Sequence, residues 1–204
     1  PLIAIPTTSG TGSECQSYAL VSRDDTHEKM ACGDPQARAC IAILDPELTA
    51  TQPKGVAIQT GLDALAHALE SAVCSRRNAI SSLYSEGAFR HLAGAIGPVV
   101  AGTAGIDNRS HMQLGAALAG LAIENSMLGA AHATANPLTA RHHVIHGHAV
   151  ALMLPHVMRF NAGDPAAAGI YARFSEILRE SRITGLPLIE WVEELGDRSS
   201  IPPL

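Results

Sequence analysis

The stretch GLDALAHALE, residues 61–70, limits what this chain can fold into more than any other. Asp63 and His67 lie four residues apart. On a helix they share one face, and the rest of that face is Ala and Leu. A carboxylate on an apolar face is costly unless it is paired or bound to a metal. The fold must therefore leave the two at a helix surface as an ordinary Asp–His hydrogen bond, or bury them and bring further partners to them.

Composition bears on that choice. Hydrophobic residues make up 47% of the 204 positions but aromatic residues only 3%, so a core has to be built from Ala, Leu, Ile, Val and Gly. Small side chains let helices approach closely, which favours a tightly packed helical body. The length suffices for one sizeable core or two small domains. The net charge of −5, without a long basic run, argues against a nucleic-acid groove, which needs clustered Lys and Arg. No apolar run reaches the roughly 18 residues of a membrane span; the stretch 149–157 is apolar but short, and His156 and Arg159 limit it. The four cysteines form no C-x-x-C pair and read as buried free thiols, as expected for a cytoplasmic protein.

The chain changes character near residue 48. Before it, Leu2–Ile5 reads as a buried strand, TTSGTGSE (7–14) as a loop, and Tyr18–Ser22 with Lys29–Cys32 as a hairpin turning at Asp24-Asp25. Ala39–Leu44 reads as another buried strand, ended by Asp45-Pro46. After it, apolar spacing predicts helices over 54–73, 79–95 (entered through Asn78), 109–125, 148–160, 166–182 and 186–195. Pro155 is expected to kink or break the fourth of these. The expected fold class is mostly α: a β-rich unit over 1–48, then an all-helical domain over 49–204.

Residues 129–149, GAAHATANPLTARHHVIHGHA, hold five histidines: His132, His142, His143, His146 and His148. His132 and His146, taken with Asp63 and His67, give three imidazole nitrogens and one carboxylate oxygen. That set suits a borderline divalent cation, Fe²⁺ or Zn²⁺, with a position left open for a substrate oxygen. The TTSGTGSE loop can present backbone N–H groups and hydroxyls to a phosphate or a nicotinamide amide. It matches neither of the usual glycine-rich phosphate loops, so an ordinary solvent turn is the alternative. His148 reads as a helix-start residue or a hydrogen-bond partner of a ligand, His156 as a hydrogen-bonded core histidine, and His27, His91 and His111 as surface residues.

IPTTSGTGSE (5–14), EKMA (28–31), DPEL (45–48), GLDALAHALE (61–70), GAAHATANPL (129–138) and IHGHAVALMLPHVMRFNA (145–162), in this order, resemble the iron-containing, group III metal-dependent alcohol dehydrogenases. The resemblance implies that Asp63, His67, His132 and His146 are the metal ligands. It implies that Thr7, Thr8 and Thr11 line an NAD or NADP cofactor and that Lys29 meets its ribose region. It implies a dehydroquinate synthase-like architecture, in which residues 1–48 are the closing strands of an α/β nucleotide-binding domain and the helical domain carries Fe²⁺ or Zn²⁺. The substrate would be a small alcohol, aldehyde or ketone, and the full-length parent a homodimer or larger assembly. No glycine-rich pyrophosphate loop precedes the first strand, so the chain reads as a fragment of that parent. Many members carry a second histidine one turn after the first metal-binding one, where this chain has Asn136. An amide can hydrogen-bond a substrate but cannot carry a proton near neutral pH, so His142 or His143 are the alternatives for proton transfer, unless both are solvated loop residues. Relatives in fold leave other chemistries open: dehydroquinate synthase, glycerol-1-phosphate dehydrogenase, maleylacetate reductase, or a catalytically inactive helical fragment.

Overall fold

The computed structural model describes residues 1–25 and 29–199, with the backbone alone for Leu20, Ser22, Lys29 and Ala31. The amino-terminal part holds two small sheets. β1 (Ile3–Ala4) pairs in parallel with β4 (Ile41–Ala42), Ile3 opposite Ile41. β2 (Tyr18–Ser22) and β3 (Lys29–Gly33) form the expected antiparallel hairpin, Tyr18 opposite Gly33. The expectation of buried strands fails for the first pair: Ile3 is 51% and Ile41 53% exposed. Parallel strands are usually buried because neighbours cover both faces. Here the helices pack elsewhere, and no third described strand joins the pair.

Seven helices follow among the described residues: α1 (Lys54–Val73), α2 (Ala79–Ala101), α3 (Ile106–Glu124), α4 (Ala130–His142), α5 (His146–Asn161), α6 (Pro165–Glu180) and α7 (Leu188–Arg198). Local chemistry sets several ends. Asn78 caps α2 by accepting from the N–H groups of Ile80 and Ser81, and Ser81 answers with its hydroxyl to the Asn78 N–H. Gly102, at φ 77°, closes the same helix in the left-handed region that favours glycine. Asp164 caps α6 through the Ala167 N–H, with Pro165 in the first turn.

α1 is the central helix. Every residue from Gly61 to Ala72 is buried, and α1 packs against α2, α3, α4, α5 and α6. Small residues set the close approaches, as the composition predicts. A Cβ on Gly115 of α3 would stand 2.7 Å from Leu92 Cγ on α2, and one on Gly147 of α5 would stand 2.4 Å from the Gln59 carbonyl oxygen on α1. The few aromatic residues pin the last two helices: Phe89 stacks on Phe174 at 4.6 Å and meets Trp191 edge-on at 5.9 Å.

One stripe of α3 holds the amino-terminal part in place. Arg109 donates to the Thr49 carbonyl at 2.6 Å, and Gln113 to the Pro6 carbonyl at 3.2 Å. Glu124 accepts from the N–H and hydroxyl of Ser17 at 2.9 and 3.0 Å. Between them, Gly12 lies directly on Gly120, where a Cβ on Gly120 would be 2.3 Å from the Gly12 carbonyl oxygen.

Four expectations need correction. Of the kink or break expected at Pro155, the break does not occur: α5 runs through it to Asn161. Residues 130–142, where apolar spacing predicts no helix, form α4 despite Pro137. His156 is exposed rather than a core residue. Among the cysteines, Cys32 and Cys40 are exposed because they belong to the sheet region that the helices leave uncovered, while Cys15 and Cys74 are half-buried and all four are free. His91 and His111 lie toward the surface as expected, joined Nδ1 to Nδ1 at 2.8 Å. His27 lies outside the described residues.

The Gly147–Gln59 contact yields a test. Gly147→Ala must push the start of α5 away from α1, an overpacking that costs about 1–3 kcal/mol. Chemical denaturation should show that loss, and Gly163→Ala, where the nearest atom to a new Cβ is 3.3 Å away, should lose less.

Candidate metal centre

Three helices bring the site together. α1 supplies Asp63 and His67, α4 supplies His132 in its first turn, and α5 supplies His146 as its first residue. Asp63, His67 and His132 are buried, and the His146 side chain is 27% exposed. His132 Nε2 lies 3.2 Å from Asp63 Oδ1, and His146 Nε2 lies 3.8 Å from the same oxygen. The ligand atoms of Asp63, His132 and His146 all fall within 4.8 Å of one another. His67 stands at the edge of this group: its Nε2 is 3.6 Å from Asp63 Oδ2, and its ring stacks on His132 at 4.8 Å. Its Nδ1 is buried with no hydrogen-bond partner among the described residues.

The electrostatics follow from this crowding. Burial pushes the Asp63 carboxyl up, but His67, His132 and His146 outweigh it and hold it down at about 2. Burial carries His67 down to about 4, against the pull of Asp63. His132 goes the other way: burial lowers it, but its hydrogen bonds to Asp63 and Glu70 lift it to about 9. A protonated His132 donates from Nδ1 to Glu70 and from Nε2 to Asp63. A divalent cation bonded to Nε2 and to Asp63 would replace that second proton. The donor set, nitrogen and carboxylate oxygen on a mostly buried floor, fits a borderline cation such as Fe²⁺ or Zn²⁺.

Glu70 escaped the sequence reading. It is 3% exposed, and it accepts from the Ala131 N–H at 2.6 Å and from His132 Nδ1 at 2.5 Å. The signal was present in the spacing: Asp63, His67 and Glu70 are i, i+4 and i+7, one continuous helix face.

The remaining expected residues lie apart from this centre in differing degrees. Asn136 is one turn beyond His132 on α4; its Oδ1 is buried with no hydrogen-bond partner among the described residues. His142 ends α4 and His143 follows it at φ 55°, both exposed. At 1.5 Å per residue they sit about 15 Å along the axis from His132, beyond direct proton transfer. Thr7 and Thr11 are exposed and Thr8 is half-buried on their loop. Thr11 Oγ1 meets Ser13 Oγ at 3.0 Å, and its carbonyl accepts from Gln16. The loop's glycines serve packing: a Cβ on Gly10 would meet Thr60 of α1 at 2.3 Å, and Gly12 sits on α3. Lys29 is paired with Ser22 through its backbone; its side chain lies outside the described residues. Glu14 and Cys15 close the loop, and burial pushes the Cys15 thiol up to about 11, so it is a poor nucleophile.

Comparison with known proteins places this geometry. Residues 57–200 match the carboxy-terminal model of the Fe-containing alcohol dehydrogenase family, and residues 1–46 match the iron-containing alcohol dehydrogenase model. The chain belongs to the iron-containing alcohol dehydrogenase family, a family of oxidoreductases. It is 37% identical to 1-propanol dehydrogenase PduQ of Salmonella typhimurium over 99% of this chain and 56% of that enzyme. Its fold superposes on 1,3-propanediol oxidoreductase with a TM-score of 0.89 at 30% identity, covering 99% of this chain and 54% of the other. It superposes on sulfoacetaldehyde reductase of Bifidobacterium kashiwanohense, solved in complex with NAD⁺, with a TM-score of 0.85 at 27% identity, covering 98% and 52%. The chain thus spans about half the length of these relatives. No described helix is long and apolar enough to cross a membrane.

The opposed histidine shifts predict a stability maximum in chelator-treated protein. Between pH 6.5 and about 4, unfolded His67 binds a proton that folded His67 refuses, so stability falls as pH falls. Between pH 6.5 and about 9, folded His132 keeps a proton that the unfolded chain has lost, so stability falls as pH rises. The thermal midpoint should therefore peak near pH 6.5, the ordinary imidazole value. One equivalent of Zn²⁺ should flatten the alkaline limb, because ligand imidazoles must be neutral.

Proposed function

We propose that the protein carrying this segment is a metal- and NAD(P)-dependent dehydrogenase that interconverts a small alcohol with its aldehyde or ketone. The observation that carries the reading is the convergence of Asp63, His132 and His146 from three helices on one spot, in a chain of this family. A Fe²⁺ or Zn²⁺ ion held there would supply Lewis-acid polarisation of a substrate oxygen, and a bound nicotinamide would supply the hydride chemistry.

The chain's own residues have distinct tasks in this reading. Asp63, His132 and His146 would hold the cation, and His67, whose Nε2 lies 3.6 Å from Asp63 Oδ2, would complete the set. The apolar wall of α1 around them, Leu62, Ala66 and Leu69, keeps bulk water from the floor of the site. The buried Asn136 Oδ1 accepts a hydrogen bond from a substrate hydroxyl and so orients it. Thr7, Thr8 and Thr11 line the dinucleotide on a loop that Gly10 and Gly12 anchor to α1 and α3, and Lys29 reaches toward its ribose. Residues 1–48 form the nucleotide side of the cleft and residues 49–204 the metal side. His142 and His143 reach the reacting atoms only through a chain of waters. The relatives' names point to short-chain alcohols and diols as substrates, and the assembly is a homodimer or larger.

The reading is tested by following NAD(P)H absorbance with anaerobically purified, Fe²⁺-loaded protein on a panel of 1-propanol, 1,3-propanediol and maleylacetate. Turnover of the alcohols is expected, and His132→Ala should lower it by about 10²–10³-fold. A His132→Ala protein that keeps its metal and full turnover would falsify the ligand assignment, and turnover confined to maleylacetate would reassign the substrate. Asn136→His places an imidazole one turn from His132, so the pH–rate profile should gain a limb near the unperturbed imidazole value of about 6.5. An unchanged profile would remove Asn136 from the substrate's surroundings.

A further inference from the structure

The Glu70 carboxylate makes two contacts that no catalytic task requires, and both point at the same element. It is buried, so its charge has to be satisfied by partners from other elements. Oε1 accepts the Ala131 N–H at 2.6 Å and Oε2 meets His132 Nδ1 at 2.5 Å. Gly129, the residue before α4, offers no capping side chain, and a Cβ there would come within 2.8 Å of Glu70 Oε1. The carboxylate from α1 therefore takes the place of an N-cap for α4, against the positive end of that helix. A carboxylate can only accept, so Nδ1 of His132 carries a proton. Neutral His132 is then the Nδ1–H tautomer, and its Nε2 lone pair faces Asp63 Oδ1 and His146.

We propose that Glu70 is a positioning residue for the metal centre. It fixes the tautomer and ring direction of His132, and through the same carboxylate it couples metal affinity to the docking of α4 on α1. Carboxylate–imidazole pairs of this kind raise the basicity of the nitrogen that binds metal. The proposal rests on the reading of Asp63 and His132 as ligands. It adds a residue outside that set and a reason for Gly129.

Two variants test it, read by Zn²⁺ affinity in competition with a chelator and by the His132 Nδ1–H proton signal of the Zn²⁺-loaded protein. Glu70→Gln keeps shape but can accept only one of the two bonds. Its affinity should fall about 10–100-fold, and the Nδ1–H signal should be lost to exchange or moved. Glu70→Asp, which keeps the carboxylate, should recover part of both. Gly129→Ala leaves every ligand and Glu70 itself intact but pushes the carboxylate aside, and should weaken Zn²⁺ binding in the same direction. It keeps the test decisive if Glu70→Gln fails to fold. Unchanged affinity and an unchanged Nδ1–H signal in the folded variants would overturn the positioning role while leaving the ligand reading intact. If Asp63→Ala binds Zn²⁺ as tightly as the unaltered protein, the ligand reading and the positioning role fall together.

Discussion

The structure depends on how three ionisable side chains on one buried helix are satisfied. α1 is enclosed on all sides from Gly61 to Ala72, yet one face carries Asp63, His67 and Glu70. Buried charge without a partner is among the most expensive features a core can hold. α4 answers two of them at once, since His132 bridges Asp63 and Glu70. α5 adds His146 from the open side. The candidate metal centre and the packing of three helices are therefore the same set of contacts.

Close packing makes that geometry reachable. α5 can bring His146 to Asp63 because Gly147 lies against the Gln59 carbonyl, and α4 can bring His132 because Gly129 admits Glu70. The same device sets the amino-terminal part: Gly10 rests on Thr60 of α1 and Gly12 on Gly120 of α3. The TTSGTGSE loop is thus clamped to α1 and α3, and its threonines lie at a fixed place relative to the candidate ligands. Glycines that look like a phosphate-binding signal in the sequence also serve as spacers between backbone and helix.

The elements that the sequence reading recovered best were those with strong local chemistry. α1 and its length follow from apolar spacing, α2 from the Asn78 cap, and the 18–33 hairpin from alternation around Asp24-Asp25. α4 was missed because Pro137, three threonine and asparagine positions and many alanines carry no apolar stripe; the helix is held by Glu70 and by packing on α5 instead. At Pro155 the helix does not break, because tertiary contacts along α5 outweigh one absent N–H. The strands at 3–4 and 41–42 were rightly placed and wrongly buried, since apolar composition reports what a strand prefers and not whether a neighbour covers it.

The sequence by itself determined the family and the mostly helical class and offered a candidate ligand set, because residue types at helical spacing and ordered motifs survive without coordinates. Only the tertiary structure decided which groups meet. It placed Asp63, His132 and His146 within reach of one another, left His67 at the edge, sent His142 and His143 to the far end of α4, and revealed Glu70 as the partner of His132. Spacing along the chain defines which face a side chain takes on its own helix. The distance between faces of different helices is set by packing, and here glycines and one shared carboxylate set it.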